Sequence, residues 1–153
     1  MITKPERIQK IVNPYERRKI QTLSAMGHTL SFGSSVIGYD VRVEFGIGLS
    51  KLVMAPGHVL ASTFEHFSMP TDVYGVVYGR STWVRLGLAV TSAVIEPGWR
   101  GHLTLGLTNH SARDIVLRVG DPIAQIIFHD VGWSSDGYDG KYQDQRRGPV
   151  PAS

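Results

Sequence analysis

From Gly33 onward the chain is a succession of short apolar runs broken by Gly, Pro and Asn. The runs are Val36–Phe45, Lys51–Thr63, Tyr74–Gly79, Gly87–Ile95, His102–Asn109, Asp114–Gly120 and Pro122–Phe128. Runs of this length, rich in Val, Ile, Leu and Thr and bounded by turn residues, predict strands. Their spacing of roughly 8–12 residues is the rhythm of an all-β sandwich or barrel. Pro56–Gly57, Pro97–Gly98 and Gly120–Asp121 mark turns between them. No helix-length periodic segment interrupts this region. Before it, Ile8, Ile11 and Val12 fall at i, i+3 and i+4 and predict one apolar helical face, ended by Pro14. Tyr15–Lys19 reads as a solvated turn or short helix.

The tail from Gly132 has few aliphatic residues and many Gly, Ser, Asp and Gln. Such a segment does not pack a core alone. It is either a disordered tail or a segment that orders over a ligand, and Trp133, Tyr138 and Tyr142 among Lys141, Arg146 and Arg147 keep the second reading open. The expected organisation is one domain over 1–153, with an N-terminal extension at 1–30 and a C-terminal lid or tail at 132–153.

With 153 residues and no Cys, one core of ordinary size is expected without disulfides, thiolate metal sites or a cysteine nucleophile. A net charge of +3 is too mild for a dedicated nucleic-acid binder, yet suits a small polyanion held by a few cations. No run reaches the ~18 apolar residues of a membrane span, and the first residues lack a signal-like apolar stretch. A soluble, cytoplasmic protein is the expectation.

Four stretches carry candidate chemistry. Gly79–Gly87 sets two hydroxyls (Ser81, Thr82) and two arginines (Arg80, Arg85) behind a glycine, the makings of a phosphate cradle or of a solvated turn. Ala93–Gly101 places Glu96 at the tip of a tight turn beside Trp99: a carboxylate able to take a proton from water, or an exposed hairpin residue beside a core Trp. Gly38–Tyr39–Asp40 and Gly120–Gln125 are less distinctive alone. None of the six His has zinc-ligand spacing, and H-x-E is absent.

The order of these pieces resembles the dCTP deaminase/dUTPase family. The family's Tyr-Asp, G-(R/K)-S-(S/T)-x-x-R, I-(D/E)-P-x-(W/F)-x-G, G-x-x-I-A-Q and K-Y-Q-x-Q motifs match Gly38–Asp40, Gly79–Arg85, Ile95–Gly101, Gly120–Gln125 and Lys141–Gln145. The similarity runs over about residues 33–148. It implies a distorted, jelly-roll-like β-barrel, a homotrimer with active sites at subunit interfaces, a deoxynucleoside triphosphate bound with Mg²⁺, and a C-terminal lid. Mg²⁺ would ride on the triphosphate, with Asp40 reaching it through water.

By resemblance, Arg80, Ser81 and Arg85 contact the phosphates and the reacting end of the base. Glu96 binds the 3′-hydroxyl or orients water, and Trp99 packs the deoxyribose. Gln125, Lys141 and Gln145 hold the triphosphate. Ser81, Arg85 and Glu96 are the implied catalytic residues. Thr82, Trp83, Val84, Thr104, Leu105, Gly106 and Tyr138 complete the implied substrate contacts. The chain looks closer to the deaminase branch, but deaminases of the family carry a Glu in the strand after the Trp turn, and here that position is Gly106. Glycine transfers no proton, and losing a general acid/base costs about 10²–10⁴-fold. The leading expectation is therefore a diphosphohydrolase converting dUTP, or dCTP or a modified triphosphate, to the monophosphate and pyrophosphate. The alternatives are a dCTP deaminase in which His102 or His110 substitutes for the Glu, and a catalytically decayed nucleotide-binding regulator.

Overall fold

The computed structural model describes residues 1–153. Helix α1 (Pro5–Ile11) begins on proline, which suits a first helical position. It turns Ile8 and Ile11 into the core, and Val12 follows them there. Strands β1 (Val12–Asn13), β2 (Ile20–Leu23), β3 (Thr29–Ser34), β4 (Tyr39–Glu44), β5 (Lys51–Met54), β6 (Gly57–Ser68) and β7 (Val73–Gly79) follow. After helix α2 (Ser81–Leu86) come β8 (Leu88–Thr91), β9 (Arg100–Asn109), β10 (Ile115–Arg118) and β11 (Pro122–Asp130). The all-β expectation holds. The architecture is a strongly curled sheet ordered β2-β3-β4-β6-β9-β8, with β1 on β6, β11 joining β4 to β7, and a separate β5–β10 pair.

The curl arises where strands exchange partners. Tyr39–Arg42 of β4 pair with β11, while Val43–Glu44 pair with β6. β6 bulges between Ser62 and His66 against β9, and a bulge bends a strand and increases its twist. The bulge turns Glu65 inward, where it accepts from the Arg42 amide and Nε, each at 2.9 Å. The Arg42 guanidinium lies 4.2 Å from the ring centres of both Phe32 and Phe64. Burial pushes the Glu65 carboxyl above its usual range, against the pull of Arg42.

Strand β9 alternates without fault. Gly101, Leu103, Leu105, Leu107 and Asn109 face in, and His102, Thr104, Gly106 and Thr108 face out. Leu105 and Leu107 join Val41, Phe67, Ile126 and Phe128 in a single core, each large side chain contributing about 1.5–3 kcal/mol by burial. Residues 1–30 belong to the same body: the Thr3 amide donates to Phe128 O at 2.9 Å, and Leu30 is buried in the core.

Ser81–Leu86, read from the sequence as a phosphate cradle or a solvated turn, is a six-residue helix closed by Gly87 at φ 90°. Only glycine takes that left-handed capping conformation without cost.

Candidate functional site

The motif residues gather at two places. At the first, the ends of β4, β7 and β11 meet. Gln125 lies opposite both Asp40 and Tyr78 across the sheet. Arg80 Nη1 donates to Ser31 O at 2.7 Å and lies 3.1 Å from Asp40 Oδ2. Asp40 is 1% exposed, and its Oδ1 has no partner. Burial raises the Asp40 carboxyl above its usual range, with Arg80 and Lys19 opposing. Gln125 Nε2 donates to Ser35 Oγ at 2.9 Å, and that oxygen also accepts from the Gly38 amide. Gly38 is required because any Cβ there would collide with Ile126 O of β11. Ser81, Val84 and Arg85 lie exposed on α2, and Thr82 is half-buried beside them.

Trp83 and Leu105 depart from the substrate contacts the sequence implied. Trp83 is fully buried, and its Nε1 donates to Pro122 O at 2.7 Å. It pins α2 to the start of β11. Leu105 is likewise fully buried among the core side chains.

The second place is a cavity of about 410 Å³ between β6, the Ser92–Trp99 segment, β9 and the tail. Leu60, Val94, Leu103 and Val150 give it apolar walls, and Glu96, Thr104, Tyr142 and Gln145 supply polar groups. Glu96 is the only carboxylate in its lining. Trp99 is 5% exposed, and its Nε1 donates to Tyr142 O at 2.7 Å.

The tail is laid down on its own chain. Tyr138 N donates to Pro97 O (2.7 Å), Asp144 N to Arg100 O (2.9 Å) and His102 N to Gln145 O (3.0 Å). Gly148 N reaches Ser62 Oγ, and Val150 N reaches Thr104 Oγ1. Gln145 also accepts from Thr104 Oγ1 at 3.1 Å. Two motif glycines make room for this. A Cβ on Gly98 would stand 2.8 Å from Gly137 Cα, and one on Gly101 would stand 2.6 Å from Gln145 N. Tyr138 and Gln145 therefore join Glu96, Trp99 and Thr104, whereas Lys141 is exposed and turned to Ser153 O.

Gly106 lies opposite Leu60, a wall of the cavity, and opposite Thr91 on β8. The space a side chain would take there is filled by its neighbours: a Cβ would be 2.9 Å from both His58 Cε1 and Thr91 Oγ1. His102 does not stand there. It contacts Thr63 O, packs edge-on against His66, and is held below its usual pKa by burial. His110 lies past the end of β9, with its amide on Gly87 O. His58 is the ring the sequence did not single out, because only the β6–β9 register brings it to Gly106.

The two places are well separated. Gly75 of β7 pairs with Ile95. Arg80 lies beyond one end of that pairing and Glu96 beyond the other, so a rise of ~3.3 Å per residue puts them about 20 Å apart. No cluster of three His, Asp or Glu able to hold a metal ion is present, and no helix is long and apolar enough to cross a membrane.

A family model described as dCTP deaminase-like matches residues 41–131. The dCTP deaminase of Thermococcus sibiricus is 34% identical over 149 residues, covering 94% of this chain and 92% of that protein. The dCTP deaminase of Psychrobacter sp. (strain PRwf-1) is 29% identical over 176 residues, covering 92% and 90%. Among solved structures, the 2′-deoxycytidine 5′-triphosphate deaminase from Agrobacterium tumefaciens aligns with a TM-score of 0.59 at 17% identity, over 84% of this chain and 48% of that one. The native EIAV dUTPase aligns with a TM-score of 0.56 at 20% identity, over 79% and 94%. These two likenesses speak to the fold, a curled dUTPase-like β structure.

Proposed function

The chain belongs to the dCTP deaminase-like family of enzymes, and on that premise we propose that it hydrolyses a deoxynucleoside triphosphate, dUTP foremost, to the monophosphate and pyrophosphate. One observation carries the choice of reaction: Glu96 is the only carboxylate lining the cavity, and β9 offers Gly106 where a proton-shuttling side chain would stand. In this reading Glu96 takes a proton from water as the oxygen attacks the α-phosphorus. The bond from that phosphorus to the α,β-bridging oxygen breaks, and pyrophosphate leaves. Thr104 and Gln145 position the nucleotide from the cavity wall, and the tail excludes bulk water.

The arginines come from a second copy in this proposal. Arg80 is committed to Asp40 and Ser31 on its own chain, about 20 Å from Glu96, so one chain does not bring both to one ligand. A homotrimer with sites between copies answers this. Mg²⁺ would be carried by the triphosphate of the substrate, with Asp40, whose Oδ1 has no partner, reaching it through water. There it would neutralise phosphate charge.

A second reading, deamination of dCTP, is favoured by the His58 ring standing where the Gly106 side chain would be. One experiment separates them: purified protein with Mg²⁺ and each of dUTP, dCTP, dTTP and dATP, with products resolved by ion exchange and ammonia assayed. Monophosphate and pyrophosphate without ammonia are expected. Ammonia from dCTP would replace the first reading by the second, and binding without turnover would remove both.

A further inference from the structure

We propose that Lys19 is a further binding residue for the triphosphate, a third cation beside Arg80 and Arg85; this rests on the reading that the chain binds a deoxynucleoside triphosphate. The segment before β2 is fastened to the strands it precedes. Glu16 N donates to the Tyr39 hydroxyl at 3.0 Å, Ser34 N donates to Glu16 O at 2.9 Å, and Tyr15 stacks on Tyr39 with ring centres 5.3 Å apart. Gly33 is bare where Arg18 O passes, and a Cβ there would collide with that oxygen. The β2–β3 pairing starts at Ile20 opposite Phe32, so Lys19, one residue earlier, comes alongside Gly33. Gly33 lies opposite Asp40, and Asp40 opposite Gln125. One row across the sheet therefore runs Lys19, Gly33, Asp40, Gln125.

Gly33 puts no side chain between Lys19 and Asp40. Two strand spacings, about 10 Å, separate their backbones, and the flexible four-carbon stem of a lysine spans much of that. The pull of Lys19 on the Asp40 carboxyl, against burial, agrees with an ammonium held on this side of the sheet. The charges in the row decide what it attracts. Arg80 meets Asp40 and Ser31 through Nη1, leaving Nε and Nη2 without a hydrogen bond. The Arg80 and Asp40 charges offset each other. Lys19 is exposed and forms no ion pair, so it is the unmatched cation of the row. An anion arriving there is drawn by Lys19 and can accept from the free N–H groups of Arg80. An ammonium is a point charge that suits any oxygen of a polyphosphate chain. In the assembly proposed above, a nucleotide seated in one copy's cavity lays its phosphates against this row of the next.

The test is calorimetric binding of inorganic tripolyphosphate and of the α,β-imido analogue of dUTP, at low and at high salt. Lys19→Gln should bind both roughly 5–10-fold more weakly at low salt, the effect of one charged contact reduced by solvent. The difference should shrink at high salt, where the contact is screened. Lys19→Arg, which keeps the charge, should recover most of the loss. Lys10→Gln removes the same charge from α1 and should bind as the wild type does. Thermal melts should not move for any of the three, since both lysines are exposed. Wild-type affinity for tripolyphosphate in Lys19→Gln would overturn the proposal. An equal loss in Lys10→Gln would overturn it too, because net charge alone would then be responsible. So would a wild-type protein that does not bind tripolyphosphate. Because neither probe is hydrolysed at the scissile bond, a binding loss in Lys19→Gln together with no pyrophosphate release from dUTP would sink the diphosphohydrolase reading alone. Normal release with unchanged binding in the variant would sink only the role of Lys19.

Discussion

The seating of the tail on β9 can be broken at one atom. Gly101 has φ 143°, and a Cβ there would stand 2.6 Å from Gln145 N and 3.0 Å from Gln145 O. Both are backbone atoms, so no side chain can swing away to relieve the clash. Gly101→Ala should therefore push the tail off the strand and sacrifice the two flanking bonds, Asp144 N to Arg100 O and His102 N to Gln145 O. At ~1 kcal/mol each, the loss is about 2 kcal/mol, or roughly a 30-fold rise in the detached population. Trypsin reads that population directly when opening is fast relative to cleavage. Cutting after Arg146 and Arg147 should accelerate about 30-fold at low protease. A non-glycine residue at this φ adds roughly 1–3 kcal/mol of strain to the body, a drop of a few degrees in Tm for a chain of this size. Unchanged cleavage in a variant whose Tm has fallen would refute the reasoning, because strain would then be present without displacement of the tail.

Three further outcomes are expected. Glu96→Gln should lower kcat for pyrophosphate release by about 10²–10⁴-fold while leaving Tm unchanged, since Glu96 is exposed; steady-state kinetics and a thermal melt check both. The Tyr39 phenol is pushed up to about 12 by burial, and its oxygen accepts from Glu16 N and donates to Pro14 O. A folded pKa above the unfolded value of 10.0 means that stability is intact below pH 10 and lost as pH rises toward 12. The loss is on the order of 3 kcal/mol, measurable as a difference in urea melts against Tyr39→Phe, which should lack this component. Gly106→Ala, whose Cβ would stand 2.9 Å from both His58 Cε1 and Thr91 Oγ1, should displace the exposed His58 ring from Thr108 Oγ1 with little change in Tm, read by the His58 ring resonances and a thermal melt.

Much of the fold is written in local pattern. The inward Leu103, Leu105 and Leu107 and outward Thr104, Gly106 and Thr108 of β9 can be read by alternation, and Ile8 and Ile11 by helical spacing, whereas Val12, expected on the same helical face, is extended and begins β1. Helix α2 could not be read in that way. It is six residues long, contains the β-favouring Thr82, Trp83 and Val84, and is held by the Trp83 indole on Pro122 and by Gly87 at its end, which are tertiary and capping effects. The tail escaped for another reason. Its attachments are backbone hydrogen bonds, which no composition displays. The motif glycines did carry that information, but only as a demand for space at Gly98 and Gly101, without naming what would fill it. His58 was invisible because cross-strand register, not sequence neighbourhood, puts it over Gly106.

The distance between Arg80 and Glu96 has a genetic consequence. If a working site borrows its arginines from one copy and its carboxylate from another, a chain lacking Arg80 still carries a sound Glu96 half, and a chain lacking Glu96 still carries a sound Arg80 half. Each variant alone is dead. Refolded together they form hybrid assemblies in which some junctions pair two sound halves, so two inactive alleles restore function between them. A third chain carrying both lesions brings only damaged halves and suppresses a healthy population in proportion to its share.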